Sequence, residues 1–223
     1  STVGYHGDQD HAIAPYRDWV IDAFNRNLAF DQFTTYQLAG DLLPGATVDQ
    51  KIATGYNRLL QTSHEGGVQP KEYLAIYGAD RIRNFSMVWL GATVGCAQCH
   101  DHKYDPFTTR DFYSLQAFFA DIDEATHFTR SGNTLPTLRD PEMKVLSPHQ
   151  RQRIEQLQAE IQALADGDQQ DRLKRIESLE DQIAAIQIAT QRTMVTAAIT
   201  PREIRILPRG DWLDDSGPVV GPA

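Results

Sequence analysis

Apolar residues in the first 120 positions recur at steps of three and four, a pattern that predicts a series of helices. The first predicted helix begins at Pro15, because proline suits the first turn of a helix. Asp31 and Thr47 are predicted to cap the next two helices, and Gly40 to end the first of these. The amino-terminal part of the chain is therefore expected to be a set of short helices.

A longer helix is predicted over roughly residues 70–90, where the apolar positions form a broad stripe. Met87 falls within this stripe and is predicted to pack in the core rather than to ligate iron. Thr108 or Thr109 is predicted to cap a further helix rich in aromatic residues.

The pattern becomes that of two amphipathic helices after Ser147-Pro148, with an interruption at Ala165-Asp166-Gly167-Asp168. An antiparallel helical hairpin over residues 147–192 is the favoured interpretation, and one interrupted long helix is the alternative. The apolar positions that define it are Ile154, Leu157, Ile161, Leu164, Leu173, Ile176, Leu179, Ile183 and Ile186.

Residues 193–196 and 203–207 alternate as short strands do, with Pro201 and Pro208 beside them. A single pair of strands is rarely stable, so they are expected to join strands supplied elsewhere. The predicted fold is mainly α: a multi-helix domain over 1–142, a hairpin insertion over 147–192, and a short β segment over 193–223. This last segment is expected to lead into a following domain, since both chain ends lack a recognisable terminating element.

Composition limits the classes of partner. The chain has 223 residues and a formal net charge of −9, which argues against binding nucleic acid. The longest apolar run, residues 86–94, is too short to span a membrane, and no secretory signal opens the chain.

The only two cysteines lie in Cys96-Ala97-Gln98-Cys99-His100. This CxxCH spacing is typical of covalent haem attachment, in which both thiols bond to haem vinyl groups and the histidine ligates iron. Glycines and other small residues before the motif would let the backbone approach a flat macrocycle. The sequence therefore predicts one covalent haem c in this helical domain, with His100 as the proximal iron ligand.

Three other interpretations of the motif are weaker. A tetrahedral zinc site needs four ligands, and the chain has no second cysteine pair. A thioredoxin-like dithiol is expected beside a βαβ pattern, which the sequence lacks. Coincidence is the third, and such spacing rarely arises by chance.

The residues that follow the motif are further cofactor-binding candidates. His102 is too close to His100 to reach the opposite axial face, so it is predicted to support the proximal ligand or contact a haem propionate. Surface exposure is the alternative for His102. Lys103 and Tyr104 could donate to propionates, or be an ordinary solvated lysine and a core tyrosine.

The sequence does not decide which residue is the distal iron ligand. The candidates are His6, His11, His64 and Met143, since histidine and methionine both serve as axial ligands. The loop Gly7-Asp8-Gln9-Asp10 could also hold calcium, although two aspartates fall short of a full oxygen cage.

Several longer stretches resemble the planctomycete cytochrome-c-like domain family, nearly from end to end. The matching stretches are residues 16–25 (YRDWVIDAFN), 37–44 (QLAGDLLP), 65–67 (EGG) and 88–91 (VWLG), which runs into CAQCHDHKYDP at 96–106. Pro201-Arg202-Glu203 and Pro208-Arg209-Gly210-Asp211 resemble the start of a second domain in such proteins. The resemblance implies a mostly helical haem c module of a larger secreted or periplasmic protein, and it implies no particular reaction.

Three functions follow from these patterns. An electron-transfer module serving a redox partner protein or an attached downstream domain is the leading hypothesis, with an extracytoplasmic or periplasmic location because haem c is attached there. The haem-containing part of an exported oxidoreductase or glycan-acting enzyme is the second. An assembly role for the hairpin, with the haem as a passive relay, is the third.

Overall fold

Short helices make up most of the molecule. The computed structural model describes residues 4–5, 10–63, 68–129, 137–164 and 169–223, and this part contains seven α-helices and two two-stranded antiparallel sheets. The mainly helical prediction is confirmed. No helix in these ranges is long and apolar enough to cross a membrane. The helices are α1 (Ala14–Asn25), α2 (Phe30–Ala39), α3 (Val48–Ala53), α4 (Pro70–Phe85), α5 (Thr109–Ala117), α6 (Pro148–Ala163) and α7 (Gln169–Ile188).

Side-chain caps start two helices where the sequence predicts them. Thr47 accepts a hydrogen bond from the Gln50 backbone at 3.2 Å, and the Gln50 side chain accepts one in return at 2.8 Å. Thr108 caps α5 in the same reciprocal way. Asp31 is not a cap, contrary to prediction, because α2 already begins at Phe30. It lies in the first turn, where a carboxylate favours the positive end of the helix dipole.

The predicted long helix is present, but its last turn has a different geometry. α4 continues into a π-helical turn, Ser86–Leu90, which Gly91 ends with a φ of 61°. A π turn holds more residues than an α turn, so side chains in this turn point in directions that a continued α-helix would not give them. Trp89 packs against Phe33 and Tyr56, whereas Met87 and Val88 are 55% and 53% exposed, so the predicted core position of Met87 is wrong.

Two apolar clusters form the core. The larger one joins α4, α5, the segment before the cysteine motif and the carboxyl-terminal strands. The smaller one joins α1, α3 and the first strand around Trp19. The larger cluster contains Ala79, Ile82, Val94, Ala97, Phe112, Tyr113, Ala117, Phe119, Ala120, Ile122, Ile204 and Val220; the smaller contains Trp19, Ala23, Ile52, Ala53 and Val145.

α6 and α7 form the predicted antiparallel hairpin. Arg175 of α7 pairs with Glu160 of α6 at 2.6 Å near one end. At the other end, the Gln150 side chain donates to the Ala189 carbonyl at 2.5 Å. Such contacts at both ends require two helices lying side by side, which excludes the single long helix.

A two-stranded sheet holds the base of the hairpin. β1 (Glu142–Val145) precedes α6 and pairs antiparallel with β2 (Gln191–Met194), which follows α7. The register places Glu142 opposite Met194 and Val145 opposite Gln191. The hairpin therefore leaves and re-enters the helical body at adjacent points.

The carboxyl-terminal strands pair within the chain. β3 (Ile204–Arg205) is antiparallel to β4 (Val219–Val220), and Ile204 and Val220 are buried in the larger cluster. The two predicted strand segments pair with other strands of the chain rather than with each other, because residues 193–194 lie in β2, which pairs with β1, and β3 pairs with β4.

A buried charge network joins distant segments of the chain. The Glu124 carboxylate lies 2.8 Å from Arg139 and 3.6 Å from Arg58, and it pairs directly with Arg81. All four side chains are buried. Arg58 also donates to the carbonyl oxygen of Asp123 at 2.8 Å. Burial lowers the pKa of Arg58 and Arg139, and the Glu124 carboxylate, the nearby charge of Asp123 and several carbonyl dipoles oppose this cost of burying the cations.

Candidate functional site

The two cysteines lie together on one solvent-facing turn. Gly95–Gln98 forms a 3₁₀ helix, and the Cys99 backbone N–H donates to the Cys96 carbonyl at 3.2 Å. Side chains three residues apart eclipse on a 3₁₀ helix, so both thiols share a face. Both cysteines are free and exposed, while Ala97 between them is fully buried. The turn thus anchors itself through alanine and presents two thiols outward.

The imidazole of His100 is oriented by its own loop. Its Nδ1 lies 2.8 Å from the Asp101 carbonyl oxygen, and only a protonated Nδ1 can donate to that acceptor. In the neutral imidazole this places the proton on Nδ1 and leaves the lone pair on Nε2. The Asp101 carboxylate accepts a bond from the Thr109 backbone at 2.8 Å, which ties the loop to the start of α5. His100 is exposed, so Nε2 is accessible to a ligand or metal.

Helices α4 and α5 both hold the cysteine turn through hydrogen bonds to Gln98. The Tyr113 hydroxyl donates to the Gln98 carbonyl at 3.1 Å and also lies 3.5 Å from the Leu207 carbonyl. Arg83 of α4 donates to the side-chain oxygen of Gln98. The motif is thus held by both core helices and by the carboxyl-terminal segment.

Gly210 lies directly against the second thiol. A Cβ atom built on Gly210 would lie 3.0 Å from the Cys99 sulfur, and Gly210 has a φ of 73°, which favours glycine. In the sequence this segment resembles the start of another domain, and nothing in it predicts the contact with Cys99. Only the Pro208-Arg209-Gly210 turn signal marks the position, and it does not say what the turn contacts.

The three further cofactor-binding candidates, His102, Lys103 and Tyr104, have different environments. The backbone N–H of Asp105 lies 2.9 Å from His102 Nδ1 and the Asp105 carboxylate lies 3.2 Å from the same nitrogen, so His102 holds its loop through Asp105. The Lys103 ammonium lies 5.1 Å from the Tyr104 ring centroid. Tyr104 is 82% exposed, so the core position considered for it is not found. Contacts of these residues with a propionate stay a prediction.

The two described distal-ligand candidates, His11 and Met143, do not lie at the cysteine turn. His11 is buried, with Nδ1 3.2 Å from the Thr137 carbonyl and Nε2 2.9 Å from the Thr62 hydroxyl, so both ring nitrogens are engaged. Met143 packs against the Trp19 cluster, whereas the motif belongs to the other cluster. His6 and His64 lie outside the described residues, and their role stays a prediction.

The calcium candidate also falls mostly outside the described ranges. Residues 6–9 of the Gly7-Asp8-Gln9-Asp10 loop are not described, and the Asp10 carbonyl accepts from the Thr137 backbone at 2.7 Å. Among the residues with a described placement, no group of three or more histidine, cysteine, aspartate or glutamate side chains is arranged to hold a metal ion.

A family model described as "PSCyt2: Protein of unknown function (DUF1549)" matches residues 1–124, which is more than half of the chain. The chain belongs to the PSCyt2 family. The name denotes a planctomycete cytochrome-like family of unknown function, in agreement with the resemblance found in the sequence. Neither the curated proteins nor the solved structures gave a match.

The PSCyt2 match contains the whole cysteine turn and both core helices that support it. The match ends at Glu124, so it does not cover nearly the whole chain, as the matching stretches of sequence had led us to expect. The hairpin and the Gly210 segment lie beyond it. The structure nevertheless packs Gly210 against Cys99, so this PSCyt2 site also uses residues outside the matched range.

Replacing Gly210 with alanine is expected to slow alkylation of Cys99 while leaving that of Cys96 unchanged. The new methyl group would crowd the Cys99 sulfur, and the positive φ adds about 1 kcal/mol of backbone strain. Mass spectrometry of the haem-free protein during iodoacetamide treatment measures both rates. Gly91→Ala is the matched control, because Gly91 also has a positive φ but no atom within 4 Å of its Cβ position. Equal Cys99 rates in both variants would contradict the contact.

Buried tyrosines predict a loss of stability at alkaline pH. Burial raises the pKa of Tyr113 and of Tyr77 to about 12, from an ordinary 10.0. The unfolded chain therefore loses these protons first, so stability is fully present below pH 10 and falls as the pH rises above it. We expect a loss of about 1.4 kcal/mol per tyrosine by about pH 11. Melting temperatures across this range measure it, and Tyr113→Phe should reduce the pH-dependent part by no more than about a third, because burial also raises the pKa of Tyr16 and of Tyr77.

Proposed function

We propose that this PSCyt2-family chain is a haem c module that transfers single electrons. Its partner would be a redox protein or a domain attached to it, outside the cytoplasm, where haem c is attached. One observation carries the proposal: the exposed turn that combines two free thiols with a histidine whose Nε2 is left as an acceptor.

The donor set on this turn fits a covalent haem. Cys96 and Cys99 are placed to add their S–H groups across two vinyl groups, which forms two C–S bonds without a leaving group. His100 offers Nε2 as an axial nitrogen for the iron. Histidine ligands in metal sites commonly donate their other N–H to a carbonyl, as His100 does to Asp101.

The chain's own residues would hold and orient the cofactor. Gly210 leaves room beside the Cys99 sulfur that any larger residue would fill. The bond from Tyr113 to the Gln98 carbonyl fixes the turn on α5, so the two thiols and the imidazole keep their relative positions. The haem itself would supply a reversible one-electron couple, whose potential depends on ligation and burial.

The decisive experiment tests for covalent haem. The chain is secreted into the periplasm of a host that expresses haem-attachment machinery, and haem is measured after denaturing electrophoresis and by a reduced-minus-oxidised spectrum. We expect one haem per chain that survives denaturation, with a c-type α-band. Cys96→Ser combined with Cys99→Ser should abolish it, whereas Gln98→Ala, a change within the same turn, should retain it.

Two results would overturn the proposal. One is the absence of a c-type α-band from correctly secreted protein. The other is prompt binding of carbon monoxide by the reduced protein together with substrate turnover, which would favour ligand chemistry over electron transfer.

A further inference from the structure

An apolar pocket of about 370 Å³ is separate from the cysteine turn, since no residue of 91–108 lines it. Three segments form most of its wall: the end of α2, Phe85 at the end of α4, and the turn that follows α5. A volume of this size suits a small organic ligand. Its apolar wall consists of Leu38, Leu42, Phe85, Leu115, Phe118 and Ile122.

Short-range packing fixes the shape of this pocket. Phe85 meets Phe119 edge to face, with 5.5 Å between ring centroids. Gly40 approaches the Gln50 carbonyl so closely that a Cβ there would lie 2.2 Å from the oxygen, which sets the position of the Asp41 turn. On the other side, the Ile199 backbone donates to the Asp121 carbonyl at 2.8 Å.

The opening of the pocket is apolar as well. Leu42 and Phe118 both line it and are 55% and 58% exposed. Apolar side chains at the mouth of an apolar cavity favour a ligand that buries a hydrocarbon group between them.

Two carboxylates break this apolar surface. Asp41 and Asp121 both line the pocket and are half-buried. Within the described part of the chain, neither carboxylate accepts a hydrogen bond or forms an ion pair. Arg202 is close enough to Asp121 to interact electrostatically, yet it donates to the Ile122 carbonyl at 2.5 Å.

We infer that this pocket binds a small organic cation, an ammonium group attached to an alkyl or aromatic group. The hydrocarbon part fills the space among the phenylalanines and leucines, and the ammonium lies beside Asp41 and Asp121. Half-buried carboxylates that accept no hydrogen bond lose part of their hydration, and a ligand cation supplies charge-assisted hydrogen bonds to them.

Three ligands with one carbon skeleton test this inference: phenylbutylamine, phenylbutanol and phenylbutyrate. Isothermal titration calorimetry on the full haem-attached chain is expected to rank the amine about tenfold or more above the alcohol, with the acid weakest. Added salt should weaken only the amine. Calorimetry does not read haem absorbance, so the result is independent of the proposed electron-transfer role.

Matched variants locate the site. Asp41→Asn with Asp121→Asn should lower the amine affinity about tenfold and leave the alcohol unchanged. Asp181→Asn, an exposed aspartate on α7, is the control and should change neither. Equal binding of all three ligands, no binding of the amine, or an amine affinity that the double variant does not change would each overturn the inference.

Discussion

Replacing Glu124 with glutamine is expected to lower the melting temperature by about 10 °C, because three buried arginines lose their shared counter-charge. Removing one partner of a buried ion pair typically costs about 3–5 kcal/mol, since the remaining charge stays desolvated. Here the remaining charges are Arg58, Arg81 and Arg139, and none can reach solvent without local unfolding. Thermal unfolding followed by circular dichroism measures the effect.

An exposed pair provides the matched control for this prediction. Glu203 pairs with Arg205 at 2.7 Å, but the Glu203 side chain is 58% exposed. Glu203→Gln should cost less than about 1 kcal/mol, because water screens the pair and solvates the remaining cation. Similar melting temperatures for the two variants would show that Glu124 is not the central counter-charge.

Replacing His100 with alanine is expected to remove the proximal ligand and abolish low-spin ligation, while both thioether bonds still form. Cys96 and Cys99 do not depend on the imidazole for their position, since the 3₁₀ turn and the buried Ala97 hold them. Electron paramagnetic resonance of the oxidised protein measures the spin state, and haem staining after denaturation measures attachment. Added imidazole should restore the original signal.

His102→Ala is the matched control for the ligand prediction. His102 Nδ1 accepts a bond from the Asp105 backbone, so its loss should loosen the loop without removing an iron ligand. An unchanged resonance spectrum in the His100 variant, or an equal loss in the His102 variant, would contradict the assignment of His100.

Local features of the fold could be predicted from the sequence because neighbouring residues cause them. The Thr47 and Thr108 caps act over three residues, and the break between α6 and α7 lies where the apolar period stops. The π turn after Phe85 was not predictable in this way, since no residue in Ser86–Leu90 breaks the helical pattern. The placement of Met87 was therefore wrong.

The same difference between local and long-range features applies to the functional motif and to the buried charges. The spacing of Cys96, Cys99 and His100 identifies the chemistry, because three side chains on one turn are a local property. The buried network of Glu124 could not be predicted, since Arg58 and Arg139 are 81 positions apart and each resembles an ordinary surface arginine in the sequence.

The sequence by itself determined the helices, most of their starts and ends, and the motif that carries the proposed cofactor. Only the tertiary structure decided that Gly210 leaves room beside Cys99, that β3 and β4 are partners, and that Asp41 and Asp121 share a pocket. The physical reason is the separation along the sequence of the residues that interact. Caps and periods arise from interactions within a few residues, whereas these contacts join segments far apart in sequence and depend on how the whole core packs.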